Sequence, residues 1–146
     1  MTTSIWLRIS SIITLLFAVG HTLGGLQYWS PMGENAVLQA MRTVHFDIMG
    51  ADRSYLDFYM GFGYSLSVTQ LMLAILLWQL AALARTNALT VRPMIAVIAL
   101  AIAASGVIAW RFIFLVPALL SLVQLASLAA AYVLAGGASR NPVDAR

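Results

Sequence analysis

Four long apolar stretches run through the chain, and its polar residues gather in the segments between them. The stretches cover about residues 5–29, 56–84, 93–110 and 112–134. Crossing about 30 Å of hydrocarbon takes roughly 20 helical residues, a length that each stretch reaches or approaches. We therefore expect four membrane-spanning helices. The third begins at Pro93, a residue suited to a first helical turn, and only Arg111 separates it from the fourth.

The segment between the first two stretches has a helical period instead of continuous apolarity. Within residues 35–49, Leu38, Met41, His45 and Ile48 fall on one stripe, and polar residues lie mostly opposite. This pattern predicts an amphipathic helix that lies along the membrane surface and covers the outer end of the bundle.

Composition supports a membrane protein and excludes several chemistries. The chain has 146 residues, of which 62% are hydrophobic and 9% charged, with a mean hydropathy of +0.90. A soluble domain has about a quarter charged residues. We expect an all-α, integral membrane four-helix bundle in one domain, residues 1–137, followed by a disordered tail, residues 138–146. The absence of cysteine excludes disulfides and thiolate sites, and the small, scattered net charge of +3 argues against a nucleic-acid partner.

The arginines favour one orientation in the membrane. If the N-terminus is cytoplasmic, five arginines lie inside (Arg8, Arg85, Arg92, Arg140 and Arg146) and three lie outside (Arg42, Arg53 and Arg111). Because cytoplasmic segments carry the excess of arginine and lysine, both termini are expected to be cytoplasmic. The alternative of a signal peptide cleaved after Gly20 fits less well, because the apolar run continues to Trp29.

A polar seam follows the first stretch. Its members alternate three and four residues apart: Ser11, Thr14, Ala18, His21, Gly25 and Tyr28. The spacing predicts that His21 points toward the other helices. The glycines beside it are expected to let a neighbouring backbone approach closely.

The depth of His21 matches that of Tyr64 and Ser67 on the second stretch, which suggests a polar pocket near the outer surface. The candidate ligand-binding residues are His21, Tyr28, His45, Tyr59, Tyr64, Ser67 and Arg111. An ionisable residue within a span points to function. The alternative is a neutral histidine that donates one hydrogen bond to a helix carbonyl.

Three further polar residues have both a structural and a functional interpretation. Asp57 is a candidate acid, but Ser54-x-x-Asp57 also matches a helix capping box. Gln70 and Gln124 fall near the middle of two parallel spans, where a buried amide pair would satisfy both side chains. Alternatively, each glutamine simply joins two helices.

Known metal and nucleophile motifs are missing, and no metal site is expected. His21 and His45 would serve as axial haem ligands only if the surface helix folded inward. A quinone or lipid pocket needs only a hydrogen-bond donor beside an apolar slot, which His21 with Tyr64 would provide.

Two segments carry a family resemblance. "GHTLGG" at the end of the first stretch and "MGADRSYLDFYMGFGYSL" at the start of the second resemble a group of small bacterial four-helix membrane proteins without an assigned function. The likeness extends to about Gln79 and implies a multi-pass protein of the bacterial inner membrane, without supplying an activity. The layout is also similar to proteins of the DoxX type, in architecture alone.

Three functions follow from these residues. The favoured one is a membrane module that binds a lipid, a quinone or another apolar ligand. The second is an accessory or assembly subunit that meets a membrane protein partner or another copy of itself. The third is an enzyme that uses His21 as acid or base, with Asp57 or Tyr64.

Overall fold

The computed structural model describes residues 2–25, 30 and 32–137, and the described chain is mostly helical. The helices are α1 (Thr3–Gly20), which continues into a π-helical turn (His21–Gly25), α2 (Ala36–Thr43), α3 (Tyr55–Leu83), α4 (Ala88–Phe112) and α5 (Leu115–Gly137). A two-stranded antiparallel hairpin, β1 (His45–Ile48) and β2 (Ala51–Ser54), precedes α3. The predicted all-α class is confirmed.

Four of these helices are long and apolar enough to cross a bilayer, as predicted. Their mean hydropathies over the most apolar window are 1.6, 1.8, 2.2 and 2.0 in chain order. Large apolar side chains on them face outward, and Leu16, Leu100 and Val133 are about two-thirds exposed. Such a surface suits lipid, so the chain is compatible with a multi-pass membrane protein.

The predicted boundaries of the last two spans are wrong by several residues. α4 begins at Ala88, where the Asn87 side chain accepts from the Thr90 amide, so Pro93 lies inside the helix instead of at its start. Arg111 belongs to the last turn of α4, and Ile113 and Phe114 make the connection to α5. The cap at Asn87 extends the helix over residues that the apolar pattern had left outside.

The predicted surface helix over residues 35–49 is correct only in its first part. Asn35 caps α2 by accepting from the amides of Val37 and Leu38, each at 3.0 Å. The helix ends at Thr43, and the chain then turns at Met49 and Gly50, both with positive φ. Two consecutive residues with positive φ form the tight turn that matches the twist of a hairpin. His45 therefore lies on β1 and not on a helix.

The chain divides into two compact units, which are described separately. In the first unit, residues 1–17 and 72–146, segments of the four long helices pack around a fully buried core. Leu7, Leu77, Ile95 and Leu128 come one from each helix, and all are completely buried. Small residues let the helices approach closely, as Gly106 on α4 does against Ser121 on α5.

The second unit, residues 18–71, holds the π-turn, α2, the hairpin and the start of α3. β1 and β2 pair in a register that places His45 opposite Ser54. Phe46 anchors the hairpin, because its ring centre lies 5.0 Å from that of Tyr55 and 5.2 Å from that of Phe58 on α3.

Candidate functional site

The candidate site lies where α1 changes from an α-helix to a π-helical turn. The change comes at His21 and continues to Gly25. Glycines are poor α-helix formers, so a segment with glycine at 20, 24 and 25 departs from α-helical geometry at little cost. Single π-turns inside α-helices are frequent at functional sites. The local sequence thus places the only histidine of the spans on a widened turn.

The expected close approach at these glycines is wrong where the structure describes them. A side-chain carbon added at Gly20 or Gly24 would meet nothing within 4 Å, and both residues are exposed. Their role is therefore in the conformation of the turn and not in packing against a neighbouring helix.

His21 is joined to α3 by a small hydrogen-bonded cluster. Its Nδ1 lies 3.0 Å from Ser67 Oγ, and Thr22 Oγ1 lies 2.8 Å from the same oxygen. Thr22 Oγ1 is also 2.7 Å from the Ala18 carbonyl oxygen, and Ser67 Oγ is 3.3 Å from the Gly63 carbonyl oxygen. Ser67 is thus the centre of the cluster. The inward orientation of His21 and its contact with Ser67 agree with the sequence prediction.

The two hydroxyls have one hydrogen each, fewer than the contacts they make, so two proton arrangements each satisfy a different subset of these contacts. In one, Thr22 donates to the Ala18 carbonyl and Ser67 donates to His21 Nδ1, so the imidazole proton is on Nε2. In the other, Thr22 and the Nδ1–H group of His21 both donate to Ser67, which donates to the Gly63 carbonyl. The two arrangements contain different imidazole tautomers, so Nε2 is a donor in the first and an acceptor in the second.

The cluster is part-buried in an apolar surrounding. His21, Thr22 and Ser67 are all of intermediate exposure, whereas the spans around them carry mostly apolar side chains. A ligand atom can therefore reach the cluster from outside the protein. His21 Nδ1 and the two hydroxyls have hydrogen-bond partners within the protein, which lowers the cost of placing them in an apolar surrounding.

The remaining predicted site residues are distributed differently. Tyr59 and Tyr64 lie on α3 and are 44% and 53% exposed, so each side chain is about half accessible. Tyr28 lies outside the described residues. Arg111 belongs to the first unit, where its guanidinium lies 5.5 Å from the centre of the Phe112 ring. His45 pairs with Asp52 on the neighbouring strand at 3.1 Å.

Asp57 forms the predicted capping box. The Ser54 amide donates to Asp57 Oδ2 at 2.8 Å, and the Asp57 amide donates to Ser54 Oγ at 3.1 Å. The Ser54 hydroxyl also donates to Asp57 Oδ2, at 2.9 Å. The carboxylate therefore fixes the start of α3 where the hairpin enters it.

One member of the predicted glutamine pair, Gln124, has a hydrogen-bond partner on α1. Gln124 Nε2 donates to Thr14 Oγ1 at 2.6 Å, and Thr14 donates to the Ser10 carbonyl at 2.8 Å. Gln124 thus joins α5 to α1, as the structural interpretation expected. Gln70 belongs to the other unit, and its pairing with Gln124 stays a prediction.

Three polar residues that form hydrogen bonds between helices were not identified from the sequence. Thr22 joins the His21 cluster, and Ser10 and Ser127 are hydrogen-bonded to each other in the buried interior of the first unit. The α-helical period places Thr22 about 100° away from His21 around the helix axis, so Thr22 was not part of the predicted polar seam. The three glycines within six residues, at 20, 24 and 25, were the signal that the helix departs from its regular period there.

No protein-family model, curated protein or solved structure matches the chain. The resemblance to small bacterial four-helix membrane proteins stays a prediction.

Proposed function

We propose that this protein is a small membrane module that binds an amphipathic ligand, such as a quinone or a lipid, by hydrogen bonds to the cluster of His21, Thr22 and Ser67. The observation that carries this proposal is the cluster itself. An imidazole and a hydroxyl on the π-turn that continues α1 are hydrogen-bonded to a hydroxyl on α3, and all three residues are part-buried.

The chemistry of the cluster suits a ligand with a polar head and an apolar body. Hydrogen-bonding groups cost free energy in hydrocarbon unless they are satisfied, so a helix retains them there when they serve packing or binding. A carbonyl or hydroxyl on the ligand would find a donor or an acceptor at His21, because both proton arrangements are available. The apolar body would lie against the exposed aliphatic side chains beside it, such as Leu23.

We further propose a location in the bacterial inner membrane with both termini in the cytoplasm. The arginine distribution supports this orientation. The cluster would then lie near the outer leaflet, because the π-turn follows the end of α1 that is distant from the N-terminus.

The proposal is tested by purifying the full-length protein in a mild detergent and identifying what remains bound. Mass spectrometry and an absorption spectrum would be recorded for the wild type and for Ser67→Ala. Ser65→Ala is the matched control, because it removes an exposed hydroxyl from the same helix. We expect a lipid or quinone that is retained by the wild type and the control and is reduced in Ser67→Ala.

Other outcomes separate the competing functions. A wild type that retains no amphipathic molecule, and that takes up none when a short-chain benzoquinone or lipid is added, would contradict the binding proposal. A protein that is stable only with a co-purifying membrane protein would favour an accessory subunit. If His21→Gln retained the amphipathic molecule but no longer converted it to a product that the wild type forms, an enzyme would be favoured.

A further inference from the structure

A cavity of about 680 Å³ opens at one end of the first unit, near the N-terminus of the chain. It lies where α1 and α4 begin and α3 and α5 end. Its lining includes Thr3, Ser4 and Arg8 of α1, Arg85 and Thr86 of the connection after α3, and Leu134 of α5. The cavity is distinct from the His21 cluster, which belongs entirely to the other unit.

Arg8 is held in position at this cavity by its packing. Its guanidinium carbon lies 4.9 Å from the centre of the Trp78 ring, a distance typical of a cation–π contact. Its Nε is buried and has no hydrogen-bond partner within the described residues. Stacking on tryptophan fixes the plane of the guanidinium and directs its remaining donors, so less conformational entropy is lost when an anion binds.

The positive charge at the cavity has no carboxylate to balance it in the described part of the unit. Residues 2–17 and 72–137 contain four arginines (Arg8, Arg85, Arg92 and Arg111) and no aspartate or glutamate. By contrast, Arg42 in the second unit pairs with Glu34 at 2.7 Å. Among the described residues, Arg8 and Arg85 therefore make the cavity basic, and a basic cavity favours an anion.

The other lining residues indicate which anion fits. The hydroxyls of Thr3 and Ser4 are hydrogen-bond donors suited to phosphate oxygens, and both residues are buried in the first turn of α1. Ile5 and Leu134 form an apolar edge and are 42% and 38% exposed. A cavity that is cationic on one side and aliphatic on the other fits an amphiphile better than a small inorganic ion.

The position of the cavity along the spans also matches a lipid headgroup. α3 ends at Leu83 and α4 begins at Ala88, so Arg85 lies in the turn between two candidate membrane spans. Such a turn is at the level where phospholipid phosphates lie, and basic pockets between spanning helices are typical sites for acidic headgroups.

We propose that this cavity binds the phosphate of an anionic phospholipid. Arg8 and Arg85 contact the phosphate oxygens, the hydroxyls of Thr3 and Ser4 donate to them, and an acyl chain follows Ile5 and Leu134 out of the cavity. The proposal is independent of the function proposed for the His21 cluster, because the two sites share no residue.

The test is native mass spectrometry of the full-length protein in detergent with phosphatidylglycerol, phosphatidylcholine or inorganic phosphate added. Arg85→Glu and Arg8→Gln are the informative variants. Arg85 is exposed, so its variant should fold even if Arg8→Gln, which removes the Trp78 contact, does not. Arg53→Glu is the matched control, because it reverses the charge of an exposed arginine just before α3, outside the cavity.

We expect the wild type and Arg53→Glu to retain phosphatidylglycerol in preference to phosphatidylcholine. Retention should fall about tenfold in Arg85→Glu, the size expected for losing a charged hydrogen-bond donor. Equal retention of phosphatidylglycerol in Arg85→Glu and the wild type would overturn the proposal, as would equal retention of the two lipids by the wild type. Displacement of phosphatidylglycerol by inorganic phosphate would assign the cavity to a free anion and overturn the lipid assignment.

Discussion

The amide nitrogen of Gln124 lies 2.6 Å from the hydroxyl oxygen of Thr14, and this hydrogen bond joins α5 to α1 deep in the first unit. Thr14 uses its own hydrogen to donate to the Ser10 carbonyl. If Gln124 is replaced, the Thr14 hydroxyl still donates to the Ser10 carbonyl. If Thr14 is replaced, the Gln124 amide nitrogen loses the acceptor of its hydrogen bond.

We predict that Thr14→Val lowers the free energy of unfolding more than Gln124→Leu does. Thr14→Val leaves a buried amide donor without its acceptor, which costs roughly 1 to 3 kcal/mol. Gln124→Leu should cost about 0.5 kcal/mol, the usual size for a hydrogen bond between spanning helices. The double variant should recover part of the loss, because both polar groups are then gone. Unfolding in detergent measures all three, and the reverse order would contradict this account.

The contact between Gly106 and Ser121 predicts a size limit at the α4–α5 interface. A side-chain carbon at position 106 would lie 3.0 Å from Ser121 Cβ, closer than van der Waals contact. Gly106→Ala should therefore lower the free energy of unfolding by about 1 kcal/mol or more. Adding Ser121→Gly to the Gly106→Ala variant should restore part of the lost free energy of unfolding. Gly61→Ala is the control, because nothing lies within 4 Å there, and it should be neutral or stabilising by up to about 1 kcal/mol.

The capping box predicts a local effect at the start of α3. Asp57→Ala should reduce stability by about 1 kcal/mol and speed amide hydrogen exchange at Ser54, whose N–H loses its acceptor. Ser54→Ala should lower stability by a similar amount. The double variant should lose less stability than the sum of the two single variants, because both substitutions remove the same set of hydrogen bonds. Additive losses would show that the two side chains act separately.

The hairpin turn contains a residue that is poorly suited to its backbone. Met49 has a φ of 54° and a fully exposed side chain. Asparagine adopts this left-handed conformation more readily, and Asn-Gly is the preferred pair for such a turn. Met49→Asn should therefore stabilise the hairpin by about 1 kcal/mol, seen as slower amide exchange in residues 45–54. Met32→Asn, also exposed, should leave exchange in the hairpin unchanged.

The sequence predicted the structure correctly where neighbouring residues determine it. The capping box at Ser54 and Asp57 and the four apolar helices follow from neighbouring residues and from composition. The failure at residues 35–49 has a physical reason, because Phe46 and Ile48 alternate with His45 and Asp47, a pattern that fits a strand as well as a helix. The positive φ of Gly50 and the pairing of the strands decide in favour of the hairpin.

Part of the candidate site was also predictable, and part was not. Periodicity gave the inward direction of His21 and its approach to Ser67. Thr22 was missed because the turn after Gly20 is wider than an α-helix, which changes the direction of the following side chains. Gln124 and Thr14 are separated by 110 residues, and no local pattern specifies such a contact.

The most direct test of the central claim is the ¹⁵N NMR spectrum of the histidine side chains in the full-length protein, recorded with and without a short-chain benzoquinone. The chain has two histidines, so His45 on the hairpin is an internal control for His21. We expect the ligand to shift the His21 imidazole resonances in the wild type, to have a smaller effect in Ser67→Ala, and to leave His45 unchanged. Identical His21 resonances with and without the ligand would contradict a ligand site at this cluster.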